Sequence, residues 1–143
     1  MHLHNSFTTT LRIGLIYNPL GGLARKYHQQ ISTILTKLPK VLQWQISTAD
    51  DFDTAVNDLI QAQIEWLIII GGDGTIQGIF TRIFSTVPPA QWPSISIIPG
   101  GTTNMTAFDL GIHEKPDRIL ERLKQRLNQA TINSAPNEIN KAV

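Results

Sequence analysis

Three short segments join glycine to side chains that can bind an anion: Asn18 to Gly22 (NPLGG), Gly71 to Thr75 (GGDGT) and Pro99 to Asn104 (PGGTTN). Glycine lets a ligand come close to the backbone. In GGDGT, Thr75 opens a stretch with helical spacing, and the unbonded N–H groups and dipole of a helix N-terminus attract a phosphate. The Thr75 hydroxyl adds a donor. Asp73 by itself would repel a phosphate. It suits such a site when Mg²⁺ lies between the two, or when the carboxylate orients a donor hydroxyl. A tight turn with Asp73 as a cap explains the same residues, but the full string follows an apolar strand and has two companions, which favours a phosphate loop. In PGGTTN, Gly100 and Gly101 clear space while Thr102 and Asn104 offer a hydroxyl and an amide; alone, it reads as a capped turn. Asn18 suits its own loop and a ligand equally. Thr48 follows a strand, where helix capping and ligand contact are both open.

These loops need strands and helices to hold them. Leu11 to Tyr17 is an apolar run that ends at Asn18-Pro19, a turn signal. Ile31, Ile34, Leu35 and Leu38 keep helical spacing, which predicts one helix from Arg25 to Leu38, stopped by Pro39. Val41 to Ile46 alternates as a half-exposed strand does, and Phe52, Ala55, Val56, Leu59 and Ile60 mark the next helix. Trp66 to Ile70 is apolar throughout, which suits a strand covered on both faces. Ile76, Ile79, Phe80, Ile83 and Phe84 continue as a helix. Ser94 to Ile98 is a further strand, followed by a short helix over Thr103 to Leu110 and another over Pro116 to Leu127. The tail from Asn133 has no periodicity and is expected to fray. Alternation of this kind predicts an α/β fold, a three-layer α/β/α sandwich around a mostly parallel sheet with right-handed crossovers. Ligands bind such sheets beyond the carboxyl ends of the strands. All three glycine loops follow strands, so they are expected to gather along one edge.

The 143 residues fit one domain, and a composition of 41% hydrophobic and 16% charged residues excludes disordered, coiled-coil and collagen-like classes. A formal net charge of +1 gives no electrostatic footprint for nucleic acid. With no cysteine there is no disulfide or thiol chemistry. No run resembles a signal peptide or a membrane span. These observations predict a cytoplasmic protein with a flexible tail over residues 1–10 and a single domain over 11–143. His2 and His4 read as part of the polar tail, and His28 and His113 as isolated surface residues. There is no HExxH, GxSxG or Walker A pattern.

From about Leu11 to Arg126 the chain resembles the catalytic domain of the diacylglycerol kinase family, which includes sphingosine, ceramide and bacterial lipid kinases and is distantly related to NAD kinases. GGDGT at Gly71 to Thr75 is the specific signature. Ile98 to Asn104 is similar to the family's proline-x-glycine-threonine loop, Asn18-Pro19 with Gly22 to its first glycine loop, and Thr48 sits where a nucleotide-contacting threonine is expected. The resemblance implies ATP with Mg²⁺, held by Gly71, Gly72, Asp73, Gly74 and Thr75 with help from Thr48, Thr102 and Asn104, and with Asn18 alongside. It implies transfer of the γ-phosphoryl group to a lipid hydroxyl, with Asp73 as the catalytic and metal-binding residue. Where the family usually carries Asn-Glu, this chain has Gln77 and Gly78; Met105 and Phe108 replace its usual Asp and Arg. Simple bacterial members add a second, β-rich domain with the expected general base. This chain ends at Val143, so the expectation is a nucleotide-binding half, incomplete as an isolated enzyme and open to self-association or a partner chain. A non-catalytic nucleotide-binding or interaction module, and a small-molecule kinase of the NAD kinase type, are the alternatives.

Overall fold

The computed structural model of the chain describes residues 11–130. The expected tail over 1–10, with His2 and His4, and the expected fraying from Asn133 lie outside the described residues. Four strands, β1 (Ile13–Tyr17), β2 (Val41–Gln45), β3 (Trp66–Gly71) and β4 (Ser94–Pro99), form one parallel sheet in the order β2-β1-β3-β4. Ile13 lies opposite Val41 on one side and Trp66 on the other, and Trp66 lies opposite Ser94. The helices are α1 (Gly22–Lys26), α2 (His28–Leu35), α3 (Ala49–Gln61), α4 (Asp73–Thr86), α5 (Met105–Asp109) and α6 (Pro116–Ala130).

The period-two alternation of the central strands divides the core into two halves. Leu15, Tyr17, Ile68, Ile70 and Ile98 face the layer of α2 and α6, where Ile31, Leu35, Leu120 and Leu123 meet them. Ile16, Leu67, Ile69 and Ile97 face α3 and α4, with Val56, Leu59, Ile76, Ile79 and Ile83. This is the expected three-layer α/β/α sandwich. β1 and β3 are buried along their whole length, as their unbroken apolar runs require. β2, at the edge, exposes Leu42, Gln43 and Gln45.

One expected element is divided. The single helix over Arg25 to Leu38 is two helices, because Tyr27 leaves helical geometry at φ −108° and ψ 19°. Its ring lies beneath the ammonium groups of Lys26 and Lys115, 5.6 and 5.9 Å from the centroid. The first piece also begins earlier, at Gly22, because the N–H groups of Leu23 and Ala24 donate to the carbonyls of Gly101 and Gly100. Elsewhere the boundaries differ from expectation by one to three residues, within the ordinary fraying of helix and strand ends.

The chain leaves β1 toward β2 and then crosses back over β1 to reach β3. The switch point therefore falls between β1 and β3, where an open parallel sheet leaves a crevice at its carboxyl ends. No helix among the described residues is long and apolar enough to cross a membrane.

Position in the sheet sets the cost of a truncation. Ile68→Ala, which empties a fully buried site on the central strand, is expected to lower unfolding stability by about 2–5 kcal/mol. Leu42→Ala on the exposed edge strand should change it by no more than about 0.5 kcal/mol. Urea unfolding of the two variants beside the parent measures both.

Candidate functional site

The loops after β1, β3 and β4 meet at the switch point, and they meet backbone to backbone. A Cβ built on Gly72 would lie 2.8 Å from the Cα of Gly101. One on Gly101 would run into the Cα of Gly72, and one on Gly21 into the carbonyl oxygen of Gly100. These glycines are required by loop-on-loop packing. A Cβ on Gly100 would lie 3.1 Å from the nitrogen of Gly71 and 3.2 Å from the Ile70 side chain, so the space beside Gly72, Gly100 and Gly101 is taken up by neighbouring parts of the chain. Gly71 packs against the side chain of its own Thr75. Gly74 is the exception. It is exposed, and nothing lies within 4 Å of where its Cβ would be.

The polar side chains of the loops also have partners. Asn18 donates from Nδ2 to the Thr75 hydroxyl at 2.8 Å and accepts the Leu20 N–H at 2.9 Å on Oδ1. It thus closes its own turn and ties the first loop to the second. Asn104, buried, accepts the Gly101 N–H at 2.9 Å and donates to the Gly101 carbonyl at 2.8 Å, closing the third loop on itself. Thr48 caps α3 in a reciprocal box with Asp51. No hydrogen bond among the described residues ties Thr48 to the three glycine loops, and β2 lies beyond β1 from β3. Thr102 and Thr103 are exposed.

Asp73 has a role that no spacing pattern reveals. Its Oδ2 accepts the N–H of Met105 and its Oδ1 the N–H of Thr106, both at 2.9 Å. The carboxylate of the second loop therefore caps the helix that follows the third. The donors from Thr106 and Met105 hold the Asp73 carboxyl below the usual carboxylate range against a smaller opposing effect of desolvation. Backbone amides carry no residue signature, so Met105 and Thr106 could not have been named as partners from the sequence.

Four helices begin at this edge after a strand, and their free N–H groups are accounted for unequally. At α1, Leu23 and Ala24 donate to Gly101 and Gly100. At α3 the Thr48 box serves, and at α5 Asp73 serves. At α4 the Asp73 N–H makes one long bond to the Thr103 carbonyl, at 3.4 Å. The N–H groups of Gly74 and Thr75 have no acceptor among the described residues. The open backbone at Gly74 and these two donors coincide, which makes the start of α4 the place where an anion can approach. No cluster of three or more His, Cys, Asp or Glu residues able to hold a metal occurs among the described residues.

The model of the diacylglycerol kinase catalytic domain matches residues 12–135. No curated protein matches the chain. Among solved structures, two of a provisionally assigned diacylglycerol kinase from Bacillus anthracis str. Sterne superpose with TM-scores of 0.62 and 0.63 at 21% identity, over 80% of this chain and 41% and 42% of theirs. A third, of diacylglycerol kinases from the same strain, gives 0.62 at 21% identity over 80% of this chain and 39% of its own. At that identity the likeness is one of fold, and the chain spans about two-fifths of the length of these structures.

Removing the Asp73 charge is expected to destabilise the apo protein, since an amide in its place can accept only one of the two N–H bonds. The depressed carboxyl fixes the sign with pH: the stabilisation is present above the ordinary carboxylate pKa and is lost as pH falls through the folded value. The thermal midpoints of the parent and of Asp73→Asn should therefore differ at neutral pH and converge in acid. A constant difference across the acid range would count against the cap.

Proposed function

The chain belongs to the diacylglycerol kinase catalytic domain family, and we propose that its carboxyl-edge loops hold the phosphates of ATP for transfer of the γ-phosphoryl group to a lipid hydroxyl. The observation that carries this reading is the start of α4, where two helix N-terminal donors are unbonded beside a glycine with open space in front of it. A polyanion suits that place by charge and by shape. The hydroxyls of Thr102 and Thr103 lie on the adjoining loop. In this reading Gly71, Gly72 and Asn18 shape the loop, Gly74 and Thr75 contact the phosphates, and Asn104 holds Thr102 in place. Thr48 would contact another part of the nucleotide.

Asp73 is the one carboxylate in the three loops. Its oxygens accept the N–H groups of Thr106 and Met105, with the hydroxyls of Thr106 and Thr103 as further donors; an ion at the carboxylate would take the place of a hydroxyl. Magnesium commonly takes one or two carboxylates and completes its shell with water and substrate phosphates, so Asp73 fits as the single protein ligand of an ion carried in on the nucleotide. The ion would neutralise charge on the phosphates. The chain's own part is to aim the carboxylate at α5, so that its charge is spread into that helix N-terminus and does not face the incoming phosphate alone.

Phosphoryl transfer also needs the acceptor hydroxyl positioned and its proton taken. With Asp73 engaged, no loop residue is left for that proton. The 143 residues alone are therefore read as the nucleotide-binding half of the reaction. A segment bearing the base, in the same polypeptide or a partner chain, would complete it in the cytoplasm. A second reading, a nucleotide-binding module without turnover, draws support from Met105 and Phe108, which are exposed and apolar where the family carries charge.

Two outcomes are expected. ATP with Mg²⁺ at about 100 times its dissociation constant should stabilise the parent by roughly 2.7 kcal/mol, and Gly74→Val should abolish that shift. Valine is a better helix former than glycine, so the variant's own midpoint should not fall; a shift retained in Gly74→Val would exclude this phosphate site. In a radiolabelled assay with diacylglycerol or sphingosine, the purified chain should turn over negligibly, since a missing general base alone costs about 10² to 10⁴ in rate. Robust turnover that disappears in Gly74→Val would make these residues a complete enzyme.

A further inference from the structure

Thr103 lies between Thr102 and Asn104 in the third loop and touches Asp73 at two points. Its carbonyl accepts the Asp73 N–H at 3.4 Å, and its hydroxyl donates to the Asp73 carboxylate. Gly72 permits this approach, since a Cβ there would lie 3.0 Å from the Thr103 carbonyl oxygen.

The remaining donors to the carboxylate are of a different kind. The N–H groups of Met105 and Thr106, each at 2.9 Å, belong to the first turn of α5 and cannot turn away unless that helix moves. Thr106 gives its hydroxyl as well, from a half-buried position on the same helix. Ala107, buried beside it, fixes α5 in the packing. Thr103 is exposed. A step to another staggered rotamer takes its hydroxyl from the carboxylate to water with no change in the backbone. Its carbonyl can stay on the Asp73 N–H throughout. Three donors to Asp73 are therefore fixed by α5, and the Thr103 hydroxyl is the exchangeable one.

We infer that the Thr103 hydroxyl sets the metal dependence of nucleotide binding: it occupies Asp73 while no ion is present, and it is the group that yields when Mg²⁺ arrives with the nucleotide. The inference rests on the reading of this edge as a nucleotide site and adds a residue that tunes it. Without the ion, the hydroxyl offsets part of the charge that a bare triphosphate would otherwise meet. The ion takes over that task, and the Thr103 bond is what its entry displaces. A hydrogen bond to a charged group is strong enough that giving it up lowers affinity about tenfold. Thr103 is thus a positioning residue, which acts on the phosphates through Asp73.

The test is calorimetric titration of the full chain with ATP, once with Mg²⁺ and once with EDTA. Thr103→Val deletes the hydroxyl and keeps the branched shape. It is expected to bind ATP with Mg²⁺ about tenfold more tightly than the parent, and metal-free ATP no more tightly. Thr103→Ser, which keeps the hydroxyl, should match the parent in both titrations. A gain in affinity on deleting a polar group is an effect that a loosened loop cannot imitate, and thermal midpoints show that the variants fold. Unchanged Mg²⁺-dependent binding in Thr103→Val would overturn the inference. Weaker binding would overturn it too, by making the hydroxyl a ligand of the ion, as would an equal gain in both titrations or a serine variant that behaves like valine. In each of these cases the parent still binds ATP and the phosphate site stands. A parent that takes up no ATP in either titration would remove the phosphate site and this inference together.

Discussion

The contact on which the rest of this edge depends is that of two loop backbones with no side chain between them. Gly72 and Gly101 approach so closely that a Cβ on either would meet the other's main chain, and Gly21 meets Gly100 in the same way. Because the loops touch, the carbonyls of Gly100 and Gly101 reach the N-terminus of α1, and Asp73 reaches the N-terminus of α5. Two helix starts are satisfied by groups from a neighbouring loop. The start of α4, which belongs to the loop making the contact, is left with unbonded donors. One steric constraint thus determines which helix start keeps its donors free.

The placement of Asp73 answers an electrostatic difficulty. A carboxylate in the middle of a loop proposed to hold phosphates would oppose that ligand. Here its charge is directed into the N-terminal amides of another helix, which lower its pKa and offset its field. The same bonds hold α5 to the loop of α4, so a residue that reads as catalytic is also a structural tie.

Departures from the family pattern have physical counterparts in the packing. Gly78 stands where the family usually has Glu, and the edge of the Phe52 ring occupies the space its side chain would take. The Arg82 guanidinium lies 5.0 Å from the centre of that ring, donates to the Gly78 carbonyl at 2.9 Å and pairs with Asp53. Gly78 is thus part of the α3–α4 contact. Met105 and Phe108, in contrast, are not absorbed into the core. They stand in solvent at the edge as exposed apolar surface.

Much of the fold was legible in the sequence because it is written in local period. The unbroken apolar runs of β1 and β3 and the helical spacing of Ile76 to Phe84 identify elements within windows of a few residues. The parallel topology then requires the loops after the strands to share one edge. Tyr27, where the predicted helix divides, carries no local breaker signal. Its conformation accompanies a contact with Lys115, nearly ninety positions away. Within the edge, the glycine strings and Asp73 were recognisable as a group, but the reason for each glycine was not. Whether a missing Cβ makes room for a ligand or for another loop depends on what lies opposite, and Gly72 and Gly101 are far apart in the chain. The partners of Asp73 are main-chain amides, which every residue but proline possesses. The amino-acid sequence by itself determined the elements, their layers and the edge at which they gather. Only the tertiary structure decided which helix start keeps its donors free, because that is settled by backbone contacts between distant segments that leave no mark in residue type.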